Sequence, residues 1–319
     1  MRPLVQLCML LMIAGAAPAI AQQYPSRPIH LIVPFGPGGT TDIIARLIAQ
    51  GLGSKLGSVV VENKPGAGGN IAFEYVAKAA PNGYTLLVAH PAITINPSLY
   101  DSVGYDPNTS FTPITLIAAT PLILGVHPSL PVKGVRDLIA LAKKRPGDLS
   151  FASAGNGSTS HLAGDMFRKM AKVDILHVPY KGAALGMLDV VNGTISMIIN
   201  PLPEMLPFTG TGKMRALATT GKQRSSVTPD VQTISEAALP GYEVVTWAGT
   251  VAPAGISRDI INRVHSETLP ILKQQDVRDR LMKFGYTIIA GSPEEFGKYL
   301  KAETQKWAQV VKASGTKLE

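Results

Sequence analysis

The chain has 319 residues, 45% of them hydrophobic and 16% charged, with a formal net charge of +8. That length suggests two domains at roughly 100–200 residues each, and the composition excludes intrinsic disorder. The densest basic run, Lys143-Lys144-Arg145, is short and lacks interleaved aromatics; it reads as a solvated helix end and argues against a nucleic-acid partner, while the modest positive balance suits small anionic ligands.

Residues 1–21 read as a cleavable signal peptide. Arg2 supplies a positive n-region, and Leu4 to Ala17 is an apolar run too short for the ~20-residue helix that spans a bilayer. Ala19-Ile20-Ala21 is an A-x-A cleavage site, so the mature chain is expected to begin near Gln22 as an exported protein. The single cysteine, Cys8, falls in the removed part and away from the cleavage point. Without a thiol, the mature chain has no disulfide, thiolate nucleophile or cysteine metal site.

The first third then alternates strand and helix. Ile29–Val33 predicts a strand, and 43–56 carries apolar residues at helical spacing. Val59 to Glu62 predicts a second strand, 71–80 a helix, and Tyr84 to Ala89 a third strand. Short apolar strands alternating with amphipathic helices predict an α/β fold with a parallel sheet covered on both faces. The rhythm breaks where two apolar runs, 114–119 and 122–126, flank Pro121 with no helix between. That break predicts a crossing into a second lobe. Helices are expected at 135–144, 161–170 and 183–191, and strands at 149–155, 175–180 and 195–200. A second apolar crossing, 244–253, precedes helical patterns over 257–272, 276–283 and 293–313. The expected organisation is two α/β lobes, 22–119 plus 246–319 and 120–245.

Two glycine loops stand out, each after a strand and before a helix. They are PFGPGGTTD at 34–42 and ASAGNGSTSH at 152–161. The first turn of a helix leaves backbone N–H groups without intrahelical partners, and the helix dipole makes that end partly positive. Glycine lets an anion approach the backbone closely, so such a loop binds anions without a charged side chain. Gly38, Gly39, Thr40 and Thr41 meet these conditions in lobe one. Gly155, Gly157, Ser158, Thr159 and Ser160 meet them in lobe two. If the lobes face each other, two helix N-termini converge on one cleft, which suits a small molecule with a carboxylate at one or both ends. The 66–70 loop reads as structural.

Catalytic patterns do not fit. Gly36 and Gly38 begin a G-x-G-x-x-G motif, but position 41 is threonine and Pro37 intrudes. The nucleophile elbow G-x-S-x-G and the P-loop lysine are absent. The six histidines include no pair at zinc-ligand helical spacing. His161 reads as a residue that orients its loop or touches ligand, and His177 as a packing residue. No catalytic residue, metal or cofactor is expected.

From residue 24 to about 310 the chain resembles the Bug-type solute-binding proteins of tripartite tricarboxylate transporters. The stretches that carry the resemblance are PGG-x-x-D at 37–42, ENKPGAGGN at 62–70, AGNGS-x-x-HL at 154–162, HVPYKG at 177–182, KMRALATT at 213–220 and TWAGTVAPAGIS at 246–257. The resemblance implies an α/β periplasmic binding protein fold of type II, two α/β lobes with a ligand cleft between them. It also implies a periplasmic protein, not an enzyme, that captures a small carboxylate and delivers it to membrane permease subunits. A monomer is expected. Carried over, the ligand carboxylate would be held by Gly38, Gly39 and Thr40, then by Ser153, Ala154, Gly157 and Ser158. Asp42 would cap its helix and shape the loop, and Phe35 would form an apolar wall. His90 and Asn96, in the loop after the third strand, would vary with ligand. Trp247 and Gly249 would lie where a strand re-enters lobe one near the cleft. Members often carry aspartate at positions 200 and 196, where this chain has Asn200 and Ser196. Two alternatives stand beside this reading: a sensor that presents ligand to a membrane receptor, and an exported hydrolase using Ser158 and His161.

Overall fold

A computed structural model describes residues 24–180 and 182–315; the signal-peptide reading and Cys8 fall outside the described residues. Lobe one is built on β1 (Ile29–Val33), α1 (Thr40–Leu56), β2 (Val59–Asn63), α2 (Asn70–Ala77), β3 (Thr85–Ala89) and α3 (Ala92–Leu99). β1 runs parallel to both β2 and β3. Four of its five residues are buried because helices cover both faces of the sheet.

β4 (Phe111–Val126) is a single strand of 16 residues that passes through both lobes. The two apolar runs read from the sequence are its two halves. Pro121 does not interrupt it, because the partner changes there: Phe111 to Pro121 pair with β9 (Val245–Pro253), whereas Leu122 to Val126 pair with β7 (Met197–Pro201). Lobe two continues with α4 (Val135–Lys144), β5 (Ser150–Ser153), α5 (Thr159–Ala171), β6 (Leu176–Pro179), α6 (Ala183–Val191), α7 (Leu202–Thr209), β8 (Arg215–Thr219) and α8 (Ile234–Ala237). The sheet order is β2-β1-β3-β9-β4-β7-β5-β6. β8 adds to β4, as does β10 (Thr287–Gly291). The chain ends on α9 (Arg258–Lys273), α10 (Gln275–Lys283) and α11 (Pro293–Ser314).

Each lobe has cores on both sheet faces. Ile198 and Ile199 fall in different clusters although they are neighbours, because successive strand side chains point to opposite faces. α11 straddles the lobes. Its Phe296 and Leu300 sit in a lobe-one core with Trp247, while Trp307 and Val311 join Phe167 and Leu124 in lobe two. Residues 246–319 therefore do not all pack within lobe one. Buried Thr220 ties the two crossings together: its N–H donates to Leu122 O at 2.9 Å, and its carbonyl accepts from Val244 N at 3.0 Å.

Candidate functional site

A cleft of about 500 Å³ opens where the two lobes meet. The N-terminus of α1 reaches it from lobe one and that of α5 from lobe two. Both helices start at the C-terminal end of a parallel strand, where open α/β sheets bind ligands.

The first loop is held from behind. The Asp42 carboxylate is buried, and its Oδ2 accepts the Gly38 N–H at 2.9 Å and Arg46 Nε at 2.9 Å. Asn63, at the end of β2, donates to Asp42 Oδ1 and to Phe35 O, both at 2.9 Å. The Arg46 guanidinium is the main cause that holds Asp42 down at about 2. Gly38, at φ +86°, takes the turn that brings its N–H onto Asp42. Gly39 is the N-cap and brings no side-chain acceptor, so the first-turn amides of Thr40 and Thr41 lack an intrahelical partner beside the cleft. The Thr40 side chain hydrogen-bonds Tyr286, whose hydroxyl burial pushes up to about 12.

The second loop has a deeper support. Ser158 is the N-cap of α5; its Oγ accepts from His161 N at 3.2 Å and donates to Gly155 O at 2.7 Å. His161 Nδ1 accepts the Gly157 N–H at 3.0 Å, which places the ring hydrogen on Nε2, 3.1 Å from Asp165 Oδ2. Arg168 donates to the other oxygen of Asp165 at 2.8 Å. His177 stacks on His161 with centroids 3.9 Å apart and hydrogen-bonds Ser153 Oγ through Nε2 at 2.7 Å. Burial is the main cause that pushes His177 down to about 4.

Phe35, Gly39, Thr40, His90, Asn96, Ala154, Gly157, Ser158, Thr159 and Asn200 all line the cleft. Several of the donors expected there are already used. The N–H of Gly38 goes to Asp42, that of Ala154 to Ser160 Oγ at 2.9 Å, and that of Gly157 to His161. The first-turn amides that lack an intrahelical acceptor include those of Thr40, Thr41, Thr159 and Ser160. Asp42, Ser153 and His161 are buried beneath the cleft surface, whereas Gly38 is exposed but is not one of the residues that line the cleft.

Two placements differ from the sequence reading. Asn96 lies in α3, not in a loop; its amide donates to Asn70 Oδ1 at 2.7 Å and Gly68 O at 3.1 Å, which ties α3 to the 62–70 stretch. Trp247 is fully buried against Phe296 and Tyr299, with centroids 5.6 and 5.7 Å away. Its neighbour Thr246 lines the cleft instead, because adjacent strand residues face opposite ways. Gly249 admits Phe296, which a Cβ there would meet at 2.4 Å.

His90 sits edge-on to Phe35 at 4.8 Å, and burial pushes it down to about 4, so it is neutral. Its Nδ1 accepts from Ala92 N at 3.3 Å, leaving Nε2–H as donor. Tyr100, Asn156, Ala183, Pro201 and Glu204 also line the cleft and were not singled out by sequence. Glu204 was legible in principle: proline at 201 and 203 and glutamate at 204 mark a helix start directly after the 195–200 strand.

No hydrolytic pair forms. Ser158 Oγ donates to Gly155 O and meets His161 through the backbone N–H, while the His161 ring is committed to Gly157 and Asp165. Ser153 does bond His177, but it is fully buried. Among the described residues no group of three or more His, Cys, Asp or Glu side chains could hold a metal, and no helix is long and apolar enough to cross a membrane.

Two α/β lobes around a cleft flanked by two helix N-termini define a bilobal ligand-binding receptor. The family described as tripartite tricarboxylate transporter family receptor matches residues 44–316, and the chain belongs to that family. It is a receptor family, not an enzymatic one. The chain is 35% identical to the protein BugT of Bordetella pertussis over 307 residues, covering 95% of this chain and 94% of BugT. A structure of an R. palustris protein with adipate shares 38% identity and a TM-score of 0.80, covering 92% of this chain and 100% of that one. MatC from Rhodopseudomonas palustris, solved with bound malate, shares 32% identity and a TM-score of 0.75, covering 90% of this chain and 100% of that one.

Proposed function

We propose that this protein works in the periplasm, after loss of residues 1–21, as a monomeric receptor that captures a small carboxylate and hands it to the permease subunits of a tripartite tricarboxylate-type transporter. The observation that carries the reading is the convergence of the α1 and α5 N-termini on one cleft from opposite lobes. Each end presents unpaired amides and roughly half a positive charge, which attract an anion without a fixed cation. Thr41 and Thr159 add hydroxyl donors at the same ends. The relatives solved with adipate and malate support a carboxylate as ligand.

Closure would bend the chain where β4 changes partner at Pro121–Leu122 and where β9 begins at Val245. A ligand bridging both helix ends favours the closed form, because only there does it touch both. The test is a thermal-shift screen of the mature protein against small carboxylates and their amides. A ligand at about 100 times its Kd stabilises by roughly 2.7 kcal/mol. A shift with an acid and not its amide is the expected result; equal shifts with both would overturn the carboxylate reading.

A further inference from the structure

Glu204 is the acidic side chain among the described residues that line the cleft, and no lysine or arginine among them accompanies it. It stands in the first turn of α7, on lobe two, and is exposed to the open cleft. Its Oε2 accepts from Asn200 Nδ2 at 2.7 Å. That bond fixes the orientation of the buried Asn200 amide, since a carboxylate accepts only. The same Nδ2 also faces Met187 Sδ at 3.8 Å, so the hydrogen-bonding atom left on Asn200 is Oδ1. Glu204 and Asn200 together offer the cleft acceptors rather than donors.

Closing the lobes around a ligand strips water from this carboxylate. An ionised carboxylate moved out of water without a counter-charge costs several kcal/mol. No described side chain lining the cleft supplies that charge, because its histidine, His90, is held neutral by burial. A ligand that brings its own positive charge to this place offsets that cost. We infer that the Glu204–Asn200 pair is a subsite for an ammonium group, and that the preferred ligand is an amino carboxylate whose carboxylate lies at the helix ends and whose ammonium meets Glu204. This rests on the carboxylate reading of the cleft. A second carboxylate at the same place would face Glu204 with like charge and is disfavoured.

The test uses probes matched in length that differ only at one end: β-alanine with succinate, 4-aminobutyrate with glutarate, and 5-aminopentanoate with adipate. Each is titrated calorimetrically into the mature protein and into Glu204→Gln, an exposed isosteric change. The expected result is that the best amino carboxylate binds the unaltered protein at least about tenfold more tightly than its dicarboxylate partner, with that preference lost or reversed in Glu204→Gln. A dicarboxylate that binds as well or better, or a preference unchanged by Glu204→Gln, overturns the inference. The two readings fail differently. Dicarboxylate binding that Gly39→Val abolishes leaves the carboxylate site standing and removes only the ammonium subsite. Absence of binding by every probe removes both.

Discussion

The imidazole Nδ1 of His161 accepts the backbone N–H of Gly157 at 3.0 Å, while its Nε2 lies 3.1 Å from Asp165. Of the two roles its motif allowed, orienting the loop or touching ligand, the bond to Gly157 supports the first: the ring is a strut under the loop. His161→Ala removes an acceptor from a backbone donor, an acid's partner and half of the His161–His177 stack. The expected loss is about 1–3 kcal/mol in urea unfolding, with weaker carboxylate binding as the loop loosens. Unchanged stability together with unchanged affinity would show that the strut is dispensable.

Gly39 behaves in the opposite way. A Cβ there meets nothing closer than Gly36 O at 3.9 Å, and its φ of −74° suits any residue. Gly39→Val should therefore fold normally yet fill the approach to the α1 amides. Losing two charge-assisted contacts corresponds to roughly 3 kcal/mol, or about 100-fold in Kd. A melting temperature near that of the parent, with binding gone, is the expected pairing. Gly38, at φ +86°, should instead show strain of about 1–2 kcal/mol on substitution by alanine.

Asp42 makes the first loop sensitive to acid. Its carboxyl is lowered from 3.8 to about 2, chiefly by Arg46. A depressed acid stabilises the fold above its unfolded pKa, and that stabilisation is lost as pH falls through the folded one. The window is thus about pH 4 down to 2. Because Arg46 is half exposed, solvent screening leaves an effect on the order of 1–2 kcal/mol. In Asp42→Asn that part of the pH dependence should vanish, which unfolding midpoints across the window would register.

His177 acts at higher pH. Its value falls from 6.5 to about 4, mainly through burial, and His90 moves the same way for the same reason. Between those values the unfolded chain takes up protons that the folded one refuses. The histidine contribution to stability should therefore decline from about pH 6.5 to 4 and level off below, where the Asp42 loss takes over. His177→Asn should flatten the decline in a series of urea midpoints; an identical slope would assign it to other groups.

Much of the architecture was legible in the sequence, because the strands of a covered parallel sheet are continuous apolar runs bounded by turns. The 135–144 and 183–191 helices came out with those bounds. β8 and β10 did not stand out. Arg215–Thr219 mixes polar and small residues, and Thr287–Gly291 is partly exposed at the edge. Asn96, expected in a loop, lies instead in α3, which accommodates Pro91 at its N-cap and Pro97 inside.

The two glycine loops and their helices follow from local chemistry alone. Strand, glycine and hydroxyl-rich turn, then amphipathic helix, is a pattern that chain neighbours decide between them. What each atom of those loops does was decided only by tertiary structure. Asn63 must come from β2, His177 from β6 and Tyr286 from beyond α10 before it is settled which amides are spent inside the protein and which are left for a ligand. The same holds for Glu204, whose place in the cleft depends on β4 carrying one sheet into the other. Sequence spacing specifies which residues share a turn or a face; long-range contacts decide which of their hydrogen bonds remain free.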